Sequence, residues 1–163
     1  MAKKPSKTKS LISHGEVAFN RRARYEYEMI EEIEAGIVLT GSEVKSLRRG
    51  LANIGDAYAG PANGQLVITN LHIGEYQNAP KAFQHEATRI RQLLVHRKER
   101  NRLFGAITRE RLTLIPLKIY FNHRGIAKIL LGLAKGKKII DKRQTIKDRE
   151  WDRQKARILL DKS

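Results

Sequence analysis

The feature that most constrains the fold is the way charge is distributed along the chain. Residues 25–134 carry fifteen basic and eleven acidic side chains, and nearly all of the periodic hydrophobic pattern lies there. The two flanking segments, 1–24 and 135–163, each carry a net charge of +6. Because like charges within a short segment repel one another, these ends are poor candidates for a core. We therefore expect a flexible basic segment at 1–15, one folded domain at 16–134 and a basic tail at 135–163.

The charge of the whole chain indicates an anionic partner. The 33 Lys and Arg residues outnumber the 17 Asp and Glu residues, which leaves a net charge of +16. Nucleic acid explains this excess most economically, because bound phosphates release counterions when Lys and Arg neutralise them. A membrane surface, an acidic protein and a merely basic soluble surface are the alternatives. The basic N-terminus precedes no signal-peptide core, and no apolar stretch is long enough to cross a bilayer, so we expect a cytoplasmic protein without a membrane partner.

The middle of the chain has the alternating pattern of β-strands. Residues 56–71 predict a hairpin, because a β-branched run follows the turn dipeptide Asn63-Gly64. Residues 112–121 predict another strand, which turns at 122–125 and returns over 126–133. Pro116 lacks an N–H, so we expect an edge or a bulge at its position.

Two short helices and one ambiguous segment complete the middle part. Ser42 is a candidate N-cap for a helix that runs to Arg49, and a second helix is expected from about His96 to Thr108. The segment 25–35 is rich in Glu, which favours helix, but its apolar residues alternate, which favours strand; we predict a strand. The expected fold is mainly β: a small, closed or partly closed antiparallel barrel with flanking short helices.

The sequence contains no recognisable catalytic constellation. It has no Cys, and its five His residues lack the spacing of metal ligands. Gly132 to Lys138 resembles a phosphate-binding loop only superficially, because it lacks the required Gly-Lys-Ser/Thr spacing. We therefore predict that the protein is not an enzyme and needs no cofactor.

The basic tail predicts an unusual helix. Thr145 and Asp148 have the spacing of a capping box, which predicts a helix from about Ile146 to Leu160. Its basic residues include a stripe at i, i+4 and i+8, broadened by two lysines: Arg149, Arg153, Arg157, Lys147 and Lys155. Two interpretations stay open. The helix could be an ordinary solvated terminal helix, or it could be mobile alone and become ordered on RNA, with Trp151 stacking on a base; the clustered charge favours the second.

Six segments, taken together, resemble a known family. They are Asn20-Arg21-Arg22-Ala23-Arg24, Glu34 to Arg48 (which contains Gly41-Ser42-Glu43-Val44-Lys45), Arg91-Gln92-Leu93-Leu94, Leu133-Ala134-Lys135-Gly136-Lys137-Lys138, Asp141-Lys142-Arg143, and Arg149 to Arg157. Each segment is ordinary by itself, but all occur in order over about 17–160. The chain resembles the SsrA-binding protein (small protein B) family of bacterial trans-translation.

The resemblance implies an oligonucleotide-binding-like (OB-like) barrel that binds the tRNA-like domain of transfer-messenger RNA (tmRNA). It further implies delivery of that RNA to stalled ribosomes, so that incomplete proteins are tagged. The protein would stand where a tRNA anticodon arm sits, and the tail, helical when bound, would probe the empty mRNA channel and the decoding centre. All catalysis would belong to the ribosome and to aminoacylation of the RNA. The alternative function is a general basic RNA chaperone or a ribosome-associated structural protein. We expect a monomer.

The residues implied in RNA recognition lie in the body of the chain: Asn20, Arg21, Arg22, Arg24, Glu34, Leu94 and Lys128. Glu34 could accept hydrogen bonds from a base or a 2′-OH, or it could form a salt bridge within the basic face. Leu94 could pack on an unstacked base or belong to the core. The residues expected to contact the ribosome lie in the tail: Lys135, Gly136, Lys137, Lys138, Asp141, Lys142, Arg143, Lys147, Arg149, Trp151, Arg153, Lys155 and Arg157.

Overall fold

The protein is described by a computed structural model, which covers residues 10–137 and 139–161. The strands are β1 (Gly15–Phe19), β2 (Tyr27–Ile37), β3 (Ala52–Asn53), β4 (Tyr58–Ala62), β5 (Gln65–Thr69), β6 (His72–Ile73), β7 (Arg91–Leu94), β8 (Thr113–Phe121) and β9 (Ala127–Gly136). The helices are α1 (Ala23–Glu26), α2 (Gly41–Arg48), α3 (Arg97–Arg109) and α4 (Ile139–Asp161), with a short 3-10 helix at Lys81–Phe83. The fold is mainly β with flanking helices, as predicted.

The strands of the main sheet are paired in a continuous antiparallel order. The order is β1-β8-β4-β5-β7-β2-β9, and β9 also pairs with β8. The long strands β2, β8 and β9 form its centre, and β9 lies between the other two. A separate two-stranded sheet joins β3 to β6. Every strand can therefore place one face against a shared interior.

The core confirms the alternation that the sequence predicts for the strands. Leu66 and Ile68 of β5 are buried, while Val67 and Thr69 between and after them are half-buried. The predicted hairpin at 56–71 is confirmed as β4 and β5, which pair across Asn63-Gly64. Burial of such alternating apolar side chains supplies most of the stabilisation of a small domain.

The strand that contains Pro116 is confirmed, and Pro116 lies at a bulge rather than at an edge. The register between β8 and β9 shifts between Pro116 and Lys118. β8 pairs with β9 on one side, and with β1 and β4 on the other, so it is an interior strand. A bulge lets an interior strand tolerate a residue that has no N–H to donate.

The ambiguous segment is a strand, as predicted, but it begins two residues later than expected. Tyr25 belongs to α1 instead of β2, and its N–H donates to the carbonyl oxygen of Arg22 over 3.0 Å. The predicted cap of α2 is also wrong: the N-cap is Thr40, whose N–H donates to Glu43 Oε2 over 3.2 Å. Ser42 lies inside the helix and hydrogen-bonds to His85 Nδ1 over 2.9 Å.

The tail helix begins earlier than its sequence predicts. α4 starts at Ile139, so Thr145 lies within the helix and the proposed capping box is wrong. No Gly or Pro interrupts 139–145, and the helix therefore extends N-terminally through that segment. None of the helices in the described ranges is both long and apolar enough to span a membrane.

Candidate nucleic-acid interface

Three of the predicted RNA-binding residues come together from three different strands. Glu34 on β2, Leu94 on β7 and Lys128 on β9 line one surface cleft of about 380 Å³. Gly36 lies between them, because it pairs with Leu94 on one side and with Lys128 on the other. A Cβ at Gly36 would lie 3.3 Å from the Cβ of Leu94, so glycine allows the close approach of β2 and β7. We call this surface the Glu34 cleft.

A residue that the sequence did not suggest holds Glu34 in place. The hydroxyl of Tyr120 donates a hydrogen bond to Glu34 Oε2. Burial of the phenol, together with the hydrogen bond and the negative charge of Glu34, raises the pKa of Tyr120 well above its ordinary value. The phenol therefore stays protonated and donates at neutral pH. No signal in the sequence pointed to this role, because Tyr120 lies beside Lys128 only once β8 pairs with β9.

This geometry decides between the alternatives that the sequence left open, a salt bridge for Glu34 and a core position for Leu94. Glu34 is exposed and forms no ion pair with any Lys or Arg among residues 10–137 and 139–161. Its second oxygen is thus free to accept from a ligand. The side chain of Leu94 is 53% exposed, so its interpretation as a core residue is wrong.

Asn20 lies outside the Glu34 cleft, and its side-chain amide forms hydrogen bonds within the protein. The residue is 7% exposed, and its Nδ2 donates to the carbonyl oxygen of Pro116 over 3.1 Å. Its Oδ1 accepts the N–H of Arg22 over 3.2 Å, and its own N–H donates to the carbonyl oxygen of Leu117 over 2.8 Å. Asn20 therefore fixes the turn that presents Arg21 and Arg22 to solvent.

The Asn20 turn does not share the Glu34 cleft. Asn20, Arg21 and Arg22 line a separate cleft of about 330 Å³, together with Asn53 and Asp56. The predicted residue Arg24 lines neither cleft, and its guanidinium forms an exposed ion pair with Glu32 over 2.6 Å. The body residues predicted for RNA binding therefore occupy two clefts and one neighbouring position.

The tail joins the body at α1. Lys137 N–H donates to the carbonyl oxygen of Glu26 over 3.0 Å, and Lys137 Nζ donates to the carbonyl oxygen of Arg24 over 3.0 Å and to Thr145 Oγ1 over 3.2 Å. The guanidinium of Arg149 lies 5.9 Å from the centre of the Tyr25 ring. The N-terminal half of α4 is thus attached beside the Asn20 turn.

The remainder of α4 presents its predicted residues to solvent. All residues from 146 to 161 are exposed, and Trp151 is 59% exposed with the Lys155 ammonium 5.3 Å from its ring. The exposed predicted residues are Lys135, Gly136, Arg143, Lys147, Arg149, Trp151, Arg153, Lys155 and Arg157. Lys137 and Lys142 are half-buried. Lys138 and the side chain of Asp141 lie outside the described residues.

The Arg91 to Leu94 segment carries a structural ion-pair network that the sequence did not reveal. Arg91 and Glu43 are both fully buried, and Arg91 Nε donates to Glu43 Oε1 over 3.1 Å. Arg89 donates to the same carboxylate through Nε over 2.6 Å and Nη2 over 3.0 Å. Burial opposes ionisation of Glu43, but the hydrogen bonds from Arg89 and Thr40 and the charges of both arginines outweigh it and lower its pKa. This network ties α2 to the strand that presents Leu94.

The chain matches known proteins over most of its length. The model of the SmpB protein family matches residues 17–161. The SsrA-binding protein of Rhodospirillum rubrum is 60% identical over 153 residues, which cover 94% of this chain and 96% of the relative. The SsrA-binding protein of Roseobacter denitrificans is 50% identical over 161 residues, which cover 99% of each chain.

A solved structure agrees with the sequence relatives. It is described as "tmRNA-SmpB: a journey to the center of the bacterial ribosome", and one of its chains is 49% identical to this one with a TM-score of 0.62. The match covers 75% of this chain and 85% of that chain. With the family model and the curated relatives in agreement over nearly the whole length, the chain belongs to the SmpB family of SsrA-binding proteins.

Proposed function

We propose that the protein binds the tRNA-like domain of tmRNA and delivers it to stalled ribosomes for trans-translation. The observation that supports this most directly is the convergence of Glu34, Leu94 and Lys128 in one cleft. These residues are 60 and 34 positions apart in the sequence, and only the pairing of β2 with both β7 and β9 makes them neighbours. The relatives are named SsrA-binding proteins, and the description of the solved structure names tmRNA and the bacterial ribosome.

The Glu34 cleft has the chemistry to hold an unstacked nucleotide of a folded RNA. The ionised carboxylate of Glu34 only accepts hydrogen bonds, so it selects an amino or imino N–H of a base or a 2′-OH, and it repels phosphate. Lys128, which lines the same cleft, can neutralise a phosphate. Leu94 offers an exposed apolar surface to a base face. Folded RNA is recognised mainly at such unstacked nucleotides.

Arg21, Arg22 and the tail form the second part of the proposed interface. The Asn20 turn presents two arginines to solvent, where phosphates can reach them. The helix α4 follows β9, contacts α1, and carries mostly exposed cations. We propose that this helix lies in the empty mRNA channel, near the decoding centre, with Arg149, Arg153 and Arg157 on ribosomal phosphates and Trp151 stacked on a base. Tail mobility before binding stays a prediction.

The return of β9 to β8 supports an OB-like barrel. We assign this barrel to 16–134, between a basic segment at 1–15 and a tail at 135–163. The structure describes the N-terminal segment only from residue 10 onward. Within that part, the guanidinium of Arg48 donates to the carbonyl oxygen of Ile12 over 3.1 Å. The protein would act as a monomer in the cytoplasm, as a binding factor without catalysis of its own.

Selective RNA binding tests the proposed function. The purified chain is titrated with tmRNA, bulk tRNA and a random RNA of equal length, near physiological salt, where non-specific contacts weaken. A copy truncated after Lys137 keeps all of β9 and removes α4. We expect the truncated copy to retain the preference for tmRNA, because recognition lies on the body.

Paired substitutions localise the binding. Lys128→Gln should weaken tmRNA binding about tenfold, because a phosphate contact in a partly enclosed cleft is lost. The matched control is Arg109→Gln, which removes one positive charge at the end of α3, outside the Glu34 cleft. Equal binding of all three RNAs, or equal loss in both variants, would instead favour the general basic RNA chaperone.

A further inference from the structure

A second aromatic and basic surface lies on α2 and on the loop between β6 and β7. The Tyr76 ring has two cations over it: Lys45 Nζ lies 5.4 Å and the guanidinium carbon of Arg49 lies 4.8 Å from its centre. Phe83 on the same loop is 77% exposed and is the most exposed aromatic side chain among the described residues. Lys81 is exposed two positions before it. We call Lys45, Arg49, Tyr76, Lys81 and Phe83 the Tyr76 patch.

The loop that carries the patch is held in one conformation. The side-chain amide of Gln84 bonds the backbone of Tyr76 twice: the Tyr76 N–H donates to Oε1 over 3.1 Å, and Nε2 donates to the Tyr76 carbonyl oxygen over 2.9 Å. Phe83 N–H donates to the carbonyl oxygen of Pro80 over 2.9 Å within the 3-10 turn. These hydrogen bonds hold the loop in the conformation that exposes Phe83. Little conformational entropy is therefore lost when a ligand binds there.

The patch contains an accessible recess between its two elements. Tyr76 and Phe83 line a groove of about 210 Å³ with Lys45, Ser42 and Pro80. Within the described ranges, Lys45, Arg49 and Lys81 form no salt bridge. Of the nearest acids in the chain, Glu43 is buried and paired with Arg89 and Arg91, whereas Glu75 and Glu86 are exposed on the loop.

We propose that the Tyr76 patch binds a single-stranded RNA segment, with one base stacked on Phe83 and the flanking phosphates on Lys45, Arg49 and Lys81. Interleaved aromatic and basic side chains suit such a ligand, because every base has a face to stack and every nucleotide carries a phosphate. The patch shares no lining residue with the Glu34 cleft. It is therefore a separate RNA contact, which would let the protein hold two RNA segments together.

The test is an NMR titration of the full ¹⁵N-labelled chain near physiological salt. The probes are octa-adenylate RNA, an abasic ribose-phosphate chain of the same length, and an acidic peptide of the same charge. The backbone amides of Tyr76, Asn78 and Phe83 report on the patch, and those of Gly36 and Leu94 report on the Glu34 cleft. Separate reporters distinguish failure at the patch from failure at the cleft.

We expect octa-adenylate to shift the patch amides more strongly than the abasic chain does. Phe83→Ala should weaken binding at the patch about tenfold, because the loss of one stacked base typically costs about fivefold or more, and Phe83→Trp should preserve it. The matched control is Ile126→Ala, which removes an apolar side chain that is 51% exposed in the turn between β8 and β9. Equal shifts with the abasic chain, shifts with the acidic peptide alone, or no shift at the patch would overturn the proposal.

Discussion

Replacement of Glu43 by Gln tests how the buried ion pairs position the strand that carries Leu94. Glu43 has no exposed side-chain surface, and its carboxylate accepts from Arg89, Arg91 and the backbone N–H of Thr40. Arg91 is equally buried, and its other nitrogens donate to the carbonyl oxygens of Leu71, Arg89, Glu86 and Ala87. Gln has nearly the same shape but no charge, and its amide nitrogen must face an arginine.

The expected cost follows from burial. Removal of one partner from a buried pair leaves an uncompensated charge and typically costs about 3–5 kcal/mol. In the variant, Arg91 keeps its hydrogen bonds to the backbone carbonyl oxygens, which reduces the cost of leaving its charge unpaired. We therefore expect a decrease of about 3 kcal/mol in the free energy of unfolding. Such a loss is a large fraction of the stability of a domain of this size.

An exposed pair of similar geometry supplies the control. Arg102 binds Glu31 through two hydrogen bonds of 2.6 and 2.8 Å, but the two side chains are 49% and 40% exposed. Because solvent screens exposed pairs, Glu31→Gln should cost less than about 1 kcal/mol. Urea unfolding followed by circular dichroism measures both variants, and the shift of the midpoint at a constant slope gives the difference.

The pH dependence gives a second, independent readout. The pKa of Glu43 is lowered in the folded protein, so its ionised form contributes stability above the unfolded pKa. That contribution is lost as the pH falls through the folded value. The wild type and Glu43→Gln should therefore differ most at neutral pH and converge in acid. A loss no larger than that of Glu31→Gln, or a gap that stays constant down to strongly acidic pH, would refute the reasoning.

Three further outcomes follow from single contacts. Tyr120→Phe removes the donor to Glu34 Oε2, and tmRNA binding should weaken several-fold in a direct titration while the unfolding midpoint hardly moves. Asn20→Ala removes two side-chain hydrogen bonds at a buried site, so urea unfolding should show a loss of about 1–3 kcal/mol; unchanged stability with weaker RNA binding would mean that Asn20 contacts RNA instead. Trp151→Ala should change the free energy of unfolding by less than about 0.5 kcal/mol, because the side chain is 59% exposed, yet binding to ribosomes in a direct titration should fall.

Local patterns were sufficient to predict most of the elements. The hairpin around Asn63-Gly64, the strand through Pro116 and the helix α3 all carry signals within a few residues, and the structure confirms them. The errors occurred at boundaries. Tyr25 fits the alternating apolar pattern of the following strand, but its N–H donates to the carbonyl oxygen of Arg22 and it belongs to α1.

Long-range partners could not be predicted from the sequence. Glu43 looks like an ordinary helix residue near an N-terminus, and Arg91 like a surface cation, until the fold buries them together 48 positions apart. Tyr120 and Glu34 are separated by 86 positions. The sheet creates the contact between Tyr120 and Glu34, because β2 and β8 both pair with β9. The contact between Glu43 and Arg91 forms instead between the helix α2 and the strand β7.

The body and the tail differ in how many of their cations are paired with acidic side chains. Within the described ranges, every salt bridge joins two residues of the body, since Arg24, Arg89, Arg91 and Arg102 all pair there with glutamates. The cations of α4 from Arg143 to Arg157 are instead exposed, along a helix whose residues 146–161 make little apolar contact with the body. Binding through exposed cations depends steeply on salt, whereas the binding proposed for the Glu34 cleft would rest more on hydrogen bonds and shape. If the tail binds the ribosome as proposed, that binding should therefore weaken with salt more steeply than tmRNA recognition by the body, and the slopes of log K against log salt concentration measure the difference.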